Sequence, residues 1–500
     1  MSYVLGIDLG TSAVKVLLMN KQGQLVDEAS ASYPLIQLRA GYNEQDPHAW
    51  VAQTTAAIRT IMERFEGDPA DIEGVSFSGQ MHGLVLLNDA HEVVRPAILW
   101  NDTRNTKQCA DILNTVGLDK MLEITKNTVL EGFTLPKILW VREHEPAHYE
   151  AATTFVLPKD YVRFAMTETL AMEYSDAAGT SLFDVANQTW SEQLIDTFDL
   201  KEGFCPKLVA PTDCVGTISE TFAKASGLST STKVFAGGAD NACGALGAGI
   251  VEAGKTMVSI GTSGVLLSYE ETADLDFEGK LHYFNHAAPD AYYTMGVTLS
   301  AGHSLEWFKQ TFAKDLSFDE LLKDIANVPV GSGGVVFTPY LVGERTPYAD
   351  ANIRASFIGL DSSHTLSHMA RAVMEGITMS LNDSLALMRA TGKQIDAIVS
   401  IGGGAKNDNW LQMQADIFNA PIIRLKQEQG PGVGAAMIAA FGLGWFESMK
   451  ACSDTFVQQA ERIMPNEQNV QKYAQLYKVY SQIYAQTKNL NEQLLSFRNN

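Results

Sequence analysis

The sequence predicts an α/β protein made of two related halves that flank a central cleft. Three observations lead there. Its 500 residues exceed the roughly 250–300 at which a single core stops growing. Strand-like and helical stretches alternate through both halves. A short pattern also occurs once in each half, as Gly6-Ile7-Asp8-Leu9-Gly10-Thr11-Ser12 and as Val258-Ser259-Ile260-Gly261-Thr262-Ser263-Gly264. Each copy has an apolar, β-prone run entering a Gly-Thr-Ser turn and a second run leaving it, Ala13 to Met19 in one and Val265 to Ser268 in the other. Such a turn offers backbone N–H groups and hydroxyls to an anion, and glycine lets a phosphate approach the backbone. Only the first copy carries an acid, Asp8, placed to hold a Mg²⁺ on that phosphate through water. Two such hairpins face to face would clamp one nucleotide.

In the first half, strands are expected at Val4–Ile7, Val14–Met19, Gly74–Phe77, Leu84–Leu87 and Ala97–Leu99. Asp46-Pro47 starts a helix, an N-cap acid followed by proline at the first helical position. Trp50, Thr54, Ile58, Ile61, Met62 and Phe65 then recur at helical spacing and are expected to face a core. In the second half the expected strands are Val234–Ala236, Thr256–Ile260, Tyr292–Gly296, Val335–Pro339 and Ala397–Ile401. Met369, Val373, Ile377, Leu381, Leu385 and Met388 form a long helical stripe. The division is placed after Asp240-Asn241, giving domains 1–244 and 245–500. The polar tail from Asn469 to Phe497 reads as a terminal docking helix.

Composition narrows the chemistry. A net charge of −21 without a basic block argues against nucleic acid and against an anionic membrane surface. Phosphate binding must then rest on backbone dipoles and magnesium. Cys109, Cys205, Cys214, Cys243 and Cys452 are odd in number and lack Cys-x-x-Cys spacing, which fits a reducing cytoplasm and neither a disulfide framework nor a zinc site. No basic n-region precedes the first strand, so no signal peptide is expected. The apolar stretch Gly432 to Phe446 is shorter than the ~20 residues a membrane span requires.

Several segments at strand ends carry the candidate site. Gly402-Gly403-Gly404-Ala405 lies between a strand and the amphipathic run Trp410–Phe418, where a nucleotide can lie against bare backbone. Lys15 either assists phosphate or is a solvated strand lysine. Asp240, in Phe235-Ala-Gly-Gly-Ala-Asp-Asn241, is a candidate general base for an attacking hydroxyl, with a helix N-cap as the plainer alternative. His82, between glycines in Ser78-Gly-Gln-Met-His-Gly83, can present a donor or acceptor to a polyol, or be structural; no second ligand at metal spacing accompanies it. Trp100, in Trp100-Asn101-Asp102, offers an aromatic face to a sugar or belongs to the core. Gly249 to Thr256 formally satisfies G-x-x-x-x-G-K-[ST], but here helical character precedes the motif and a strand follows. That is the reverse of a phosphate-binding P-loop. The residues thus point to an ATP-dependent phosphotransferase with a polyol site.

Six segments make a resemblance specific over nearly the whole chain. These are Gly6–Ser12, Gly132-Phe-Thr-Leu-Pro-Lys-Ile-Leu-Trp140, Ala236-Gly-Gly-Ala-Asp-Asn241, Ser259-Ile-Gly-Thr-Ser263, Gly343-Glu-Arg-Thr-Pro347 and Ile401-Gly-Gly-Gly-Ala405. The chain resembles the FGGY family of carbohydrate kinases, within the actin/hexokinase/Hsp70 ATPase superfamily. Gly79–Gly83, Leu99–Asp102, Leu157-Pro-Lys-Asp160 and Ser175-Asp-Ala-Ala-Gly179 resemble its branch acting on D-xylulose. The resemblance implies two ribonuclease-H-like domains around a cleft, ATP with Mg²⁺, and phosphorylation of the sugar at its 5-hydroxyl. It implies Asp240 as base and Asp8 beside the metal, with Met81, His82, Asn241 and Trp100 on the sugar. Thr11, Ser12, Lys15, Gly261, Thr262, Gly302, Gly404 and Ala405 fall to the nucleotide. A homodimer is an open expectation, as are a related kinase for another ketose, polyol or sugar acid and a non-catalytic actin-like sensor.

Overall fold

The computed structural model describes residues 1–498. In the first sheet, β1 (Tyr3–Leu9), β2 (Ala13–Asn20) and β3 (Leu25–Ser32) form an antiparallel meander. β4 (Ile72–Gly79) then adds parallel to β1, β5 (Cys214–Thr217) is the far edge, and β6 (Lys233–Phe235) joins it to β4. The spatial order is β5-β6-β4-β1-β2-β3, and a short β7 (Gly238–Ala239) pairs onto the end of β4.

The second sheet repeats this plan. β8 (Lys255–Ile260) and β9 (Gly264–Glu270) form the hairpin, β10 (His282–Asn285) and β11 (Tyr292–Thr298) extend it, and β12 (Ala397–Gly402) lies parallel to β8. β13 (Ile422–Leu425) and β14 (Gln459–Ile463) follow, giving the order β10-β11-β9-β8-β12-β13-β14. β1 and β8, β2 and β9, and β4 and β12 therefore occupy equivalent places, and the two Gly-Thr-Ser turns are equivalent in topology. The central strands β1, β4, β8 and β12 are largely buried on both faces, as strands covered by helices require.

The helix signals read from the residues are met. Asp46 caps α1 (Pro47–Arg64), its Oδ1 accepting the His48 amide at 2.9 Å, and Trp50, Thr54, Ile58 and Ile61 are buried while Met62 and Phe65 are half-buried. Downstream come α2 (Thr134–His144), α3 (Asp240–Gly247) and α4 (Gly302–Phe312). The long stripe becomes α5 (Leu366–Ala390), α6 (Asp408–Phe418) follows β12, and the tail forms α8 (Glu467–Leu494) after α7 (Pro431–Gly442). Three expected strands stand outside the central sheets. Val85–Leu87 pairs with Thr154–Val156, Ala97–Ile98 with Glu44–Gln45, and Val336–Thr338 with Ser356–Ile358. Alternation along a run reports extended backbone, and the partner is chosen by tertiary packing.

α7 comes from the second half yet packs against β1 and β4 of the first sheet and against α3. Glycines permit that approach. A Cβ on Gly6 would stand 2.0 Å from the Gly432 carbonyl oxygen, and one on Gly434 would stand 1.9 Å from that of Cys243. α7 is apolar all round, which marks a helix enclosed by protein. Among the described residues no helix is long and apolar enough to cross a membrane, and the five cysteines are free thiols.

Candidate active site

The two Gly-Thr-Ser hairpins show the same division of labour. In the first turn the carbonyls are tied back: Gly10 O accepts from the Tyr33 hydroxyl, Thr11 O from Gln45 Nε2 at 2.7 Å, and Ser12 O from the Tyr33 amide at 3.2 Å. In the second, Gly261 O accepts from the Gly302 amide at 2.7 Å, and Thr262 O accepts from Ala301 and His303 at 3.0 and 3.1 Å. The first amides of α4 are thereby engaged with the turn. The amides of Thr11, Ser12, Thr262 and Ser263 donate to no protein group among the described residues. Ser12, Gly261, Thr262 and Ser263 are exposed. Exposed amides with no internal acceptor are available to an anion, as a cradle would require.

The glycine cluster after β12 packs onto the second hairpin. A Cβ on Gly402 would lie 2.7 Å from Ile260 O, one on Gly404 2.7 Å from the Ile260 side chain, and one on Gly302 2.4 Å from Gly261 O. These glycines thus answer first to backbone packing. Gly404 and Ala405 are buried, and Gly403 is the exposed member. Lys15 bonds Glu28 at 2.9 Å and Gln429 at 2.8 Å, so a phosphate would compete for its ammonium. Residues 249–256 run from the end of α3 into β8, in the helix-to-strand order that no P-loop has.

Asp8, near the end of β1, accepts a hydrogen bond from Ser78 Oγ at 3.0 Å. Burial pushes its carboxyl up to about 6, against the opposing pull of Ser78 and Lys15. Asp240 is the first residue of α3; the cap position itself belongs to Ala239. Its Oδ1 accepts the Asn241 amide at 2.7 Å and Asn241 Nδ2 at 3.1 Å. Burial first, and the negative charge of Asp8 second, push Asp240 up to about 7. A carboxylate near neutrality at a cleft is suited to proton abstraction.

Behind Asp240 stands a fully buried charged network. Lys159 Nζ contacts Asp160, Glu173 and Asp176 at 3.0, 3.0 and 2.6 Å. Arg163 donates to Ala236 O at 2.7 Å, while Ser175 Oγ donates to Glu173 and accepts the Ala239 amide at 2.9 Å. These bonds hold both flanks of the β7 segment that delivers Asp240.

A cavity of about 240 Å³ opens beside Asp240, lined in part by Met81, His82, Trp100, Asp240 and Asn241. That space is ample for a small polyol. His82 has φ +67° and packs tilted against Phe133, with centroids 4.7 Å apart and ring planes at 49°. Its Nδ1 lies 2.8 Å from Gly179 O. A carbonyl only accepts, so Nδ1 carries the proton. Burial, then Lys137, keeps the ring neutral by depressing its pKa, which leaves Nε2 as an acceptor. Trp100 is 42% exposed and donates to Thr11 Oγ1 at 3.0 Å, joining the cavity to the first hairpin. It is not a core residue.

Phe133, His282, Phe284 and Arg345 also line the cavity and were not foreseen as lining residues, although Phe133 and Arg345 stand in the quoted segments. Lys137 was missed too. Its buried ammonium bonds the carbonyls of His82 at 3.1 Å, Phe133 at 3.2 Å and Gly132, pinning that wall, and burial lowers it to about 7. A lone lysine within the apolar run Leu135-Pro-Lys-Ile-Leu-Trp-Val141 was the available signal.

Residues 3–247 match the FGGY family of carbohydrate kinases, N-terminal domain, and residues 256–443 match the C-terminal domain of that family. The chain is 56% identical to the xylulose kinase of Bacillus subtilis (strain 168) over all of both chains. Among solved structures it is similar to ligand-bound xylulose kinase from Lactobacillus acidophilus, at TM-score 0.93 and 28% identity, covering 98% of this chain and 99% of that one. Gluconate kinase from the same species superposes with TM-score 0.92 at 29% identity over 97% and 98%.

Proposed function

The chain belongs to the FGGY family of carbohydrate kinases, and from that premise we propose that its cleft transfers the γ-phosphoryl group of ATP to the 5-hydroxyl of D-xylulose. The observation that carries this reading is the cavity that gathers Asp240, a neutral His82 and Asn241 around one volume and meets the anion cradle at Ser263. Full-length identity to a xylulose kinase supports the substrate; the equal likeness to a gluconate kinase shows that fold alone does not choose it.

Asp240 accepts the proton of the 5-hydroxyl as its oxygen attacks phosphorus, and orients that hydroxyl in line with the leaving oxygen. His82 Nε2 accepts from a sugar hydroxyl, Met81 gives an apolar wall, Asn241 offers its amide, and Trp100 closes the side toward the first hairpin. Thr11, Ser12 and Thr262 hold phosphate oxygens through their backbone amides. Gly261, Gly302, Gly404 and Ala405 shape the surface on which the rest of the nucleotide lies, and Lys15 reaches a phosphate only by leaving Glu28. Domains 1–244 and 245–500 are the two walls of this cleft, with α7 crossing between them.

The residues fit a Mg²⁺ that arrives with the phosphates. Asp8 raises the cost of ionising Asp240, and among the described residues no protein cation is bonded to either and no group of three or more metal-ligating side chains occurs. Mg²⁺ typically uses one or two carboxylates plus phosphate oxygens. When bound beside Asp8, it supplies charge neutralisation to the β- and γ-phosphates.

The test is ADP production in a coupled assay with D-xylulose, other pentuloses, gluconate and glycerol as acceptors. D-xylulose is expected to give the highest kcat/KM. A preference for gluconate or glycerol would refute the substrate, and ADP formation indifferent to any sugar would refute the kinase reading.

A further inference from the structure

The cavity holds a cation that the transfer step above does not use. Arg345 lies in the loop between Val336–Thr338 and Ser356–Ile358, and that loop is fastened on both sides of it. Glu344 Oε1 accepts the amides of Arg345 at 2.8 Å and Leu299 at 3.0 Å, and its other oxygen is bonded by Thr298 and Ser380 hydroxyls. Thr346 exchanges hydrogen bonds with Val297, its amide donating at 3.1 Å and its Oγ1 accepting at 3.0 Å. The backbone is therefore fixed, and Arg345, itself exposed, lines the sugar cavity. There the guanidinium has neither ion-pair nor hydrogen-bond partner among the described residues. Glu131 and Glu344 balance its charge only at a distance. Five donors in a rigid fork, bonded to no protein group among the described residues and bordering this cavity, suit a ligand oxygen.

The charges also divide within the cavity. Asp8 acts on Asp240, whereas Arg345 is among the charges felt by His82 and His282. Those two rings flank Phe133, at 4.7 and 6.1 Å between centroids. His282 Nδ1 is held by Asn127 Oδ1 at 3.2 Å, so it carries the proton and its Nε2, like that of His82, can only accept. At this end the single strong donor is Arg345.

Sugar chemistry says what such a donor meets. A pentulose closes its five-membered ring through O5. A free 5-hydroxyl therefore exists only in the open chain, and the open chain has a bare carbonyl at C2. Resting on the function proposed above, we infer that Arg345 binds the C1–C2 keto end of the acyclic sugar, opposite the reacting hydroxyl, and so selects open-chain ketoses over polyols. A carbonyl oxygen accepts and never donates, matching a guanidinium that donates and never accepts. A polyol hydroxyl there is a weaker dipole than that carbonyl, and it brings a proton that must be taken by the Nε2 of His82 or His282. The same fork accepts a carboxylate, so a linear five-carbon sugar acid is expected to enter this cavity as a competitor.

The experiment compares the parent enzyme with Arg345→Met and Arg345→Lys. It measures KM and kcat for D-xylulose, KM for ATP, and inhibition by D-arabinitol and D-xylonate. Loss of a hydrogen bond from a charged donor corresponds to about a 10- to 100-fold change. Arg345→Met is expected to raise the D-xylulose KM by about that factor and to weaken D-xylonate at least as much. D-arabinitol inhibition and the ATP KM should be nearly unmoved, the latter also reporting a folded cleft, and Arg345→Lys should recover part of the D-xylonate binding. An unchanged D-xylulose KM in Arg345→Met overturns the inference. So does a fall in kcat alone or a rise in the ATP KM, since either places the guanidinium on the phosphoryl group. A parent enzyme that makes no ADP with D-xylulose refutes the proposed function instead, and is recognised before any variant is measured.

Discussion

Asp240→Asn separates the two things Asp240 does, because asparagine keeps the shape of the protonated acid and abolishes its charge. The carboxyl is pushed up from 3.8 to about 7, by burial and by Asp8. At ~1.4 kcal/mol per pH unit, holding it ionised in the fold costs about 4 kcal/mol at most. A group with a raised folded pKa contributes stability that is complete below its unfolded value and lost as pH rises through the folded one. The parent therefore loses this stability between 3.8 and about 7, and the asparagine variant does not. The variant should melt alongside the parent near pH 4 and above it at pH 8, while kcat for D-xylulose falls ~10²–10⁴-fold, the usual range for a general base. The assay is a thermal melt series across that pH range beside single-substrate kinetics at saturating ATP. Near-normal turnover would remove Asp240 from the chemistry. A melting difference independent of pH would show that the carboxylate is not strained by its site.

Other expectations follow from the same structure. The acid limb of the parent's kcat/KM for D-xylulose should report an apparent pKa near the value of about 7 at Asp240, with activity lost as pH falls; a flat profile from pH 5 to 8 would contradict it. His82→Ala should raise the sugar KM by about 10-fold or more with ATP affinity kept, since one buried hydrogen bond amounts to about 1–3 kcal/mol; an unchanged sugar KM would make the residue structural. Lys255→Ala should leave ATP binding and turnover within a few-fold of the parent, because Lys255 begins β8. A loss of ATP affinity in a folded variant would restore the P-loop reading. Gly434→Ala, whose Cβ would meet the Cys243 carbonyl at 1.9 Å, should destabilise the packing of α3 on α7 by about 1–3 kcal/mol, as overpacking does; denaturant midpoints equal to the parent's would show that the helices slide apart freely.

The features legible in the sequence were those written in neighbouring residues. The Gly-Thr-Ser turns, the Asp46-Pro47 helix start and the stripe from Met369 to Met388 each obey a local rule, and each appears where that rule puts it. Asp240 was legible as chemistry because an acid follows glycines at a strand end, though its position as the first helical residue, with Ala239 as cap, depends on geometry no spacing records. Phe133, His282 and Arg345 come from three remote segments, and only packing brings them to one cavity. The course of α7 was hidden for a related reason: an all-apolar helix announces burial but not which sheet it covers. The neutrality of His82 was likewise beyond reach, since it follows from enclosure and from Lys137.

Transfer of a phosphoryl group to O5 of an open-chain sugar, held between Asp240 and the cradle of Thr11, Ser12 and Thr262, leaves a signature in the product. The most direct measurement is ³¹P–¹H correlation NMR of the product made from ATP, Mg²⁺ and D-xylulose, with ADP and inorganic phosphate quantified together. One phosphomonoester coupled to the C5 protons, formed in step with ADP and with little free phosphate, is the predicted result. A phosphoester at C1, or ADP accompanied mainly by inorganic phosphate, would contradict it.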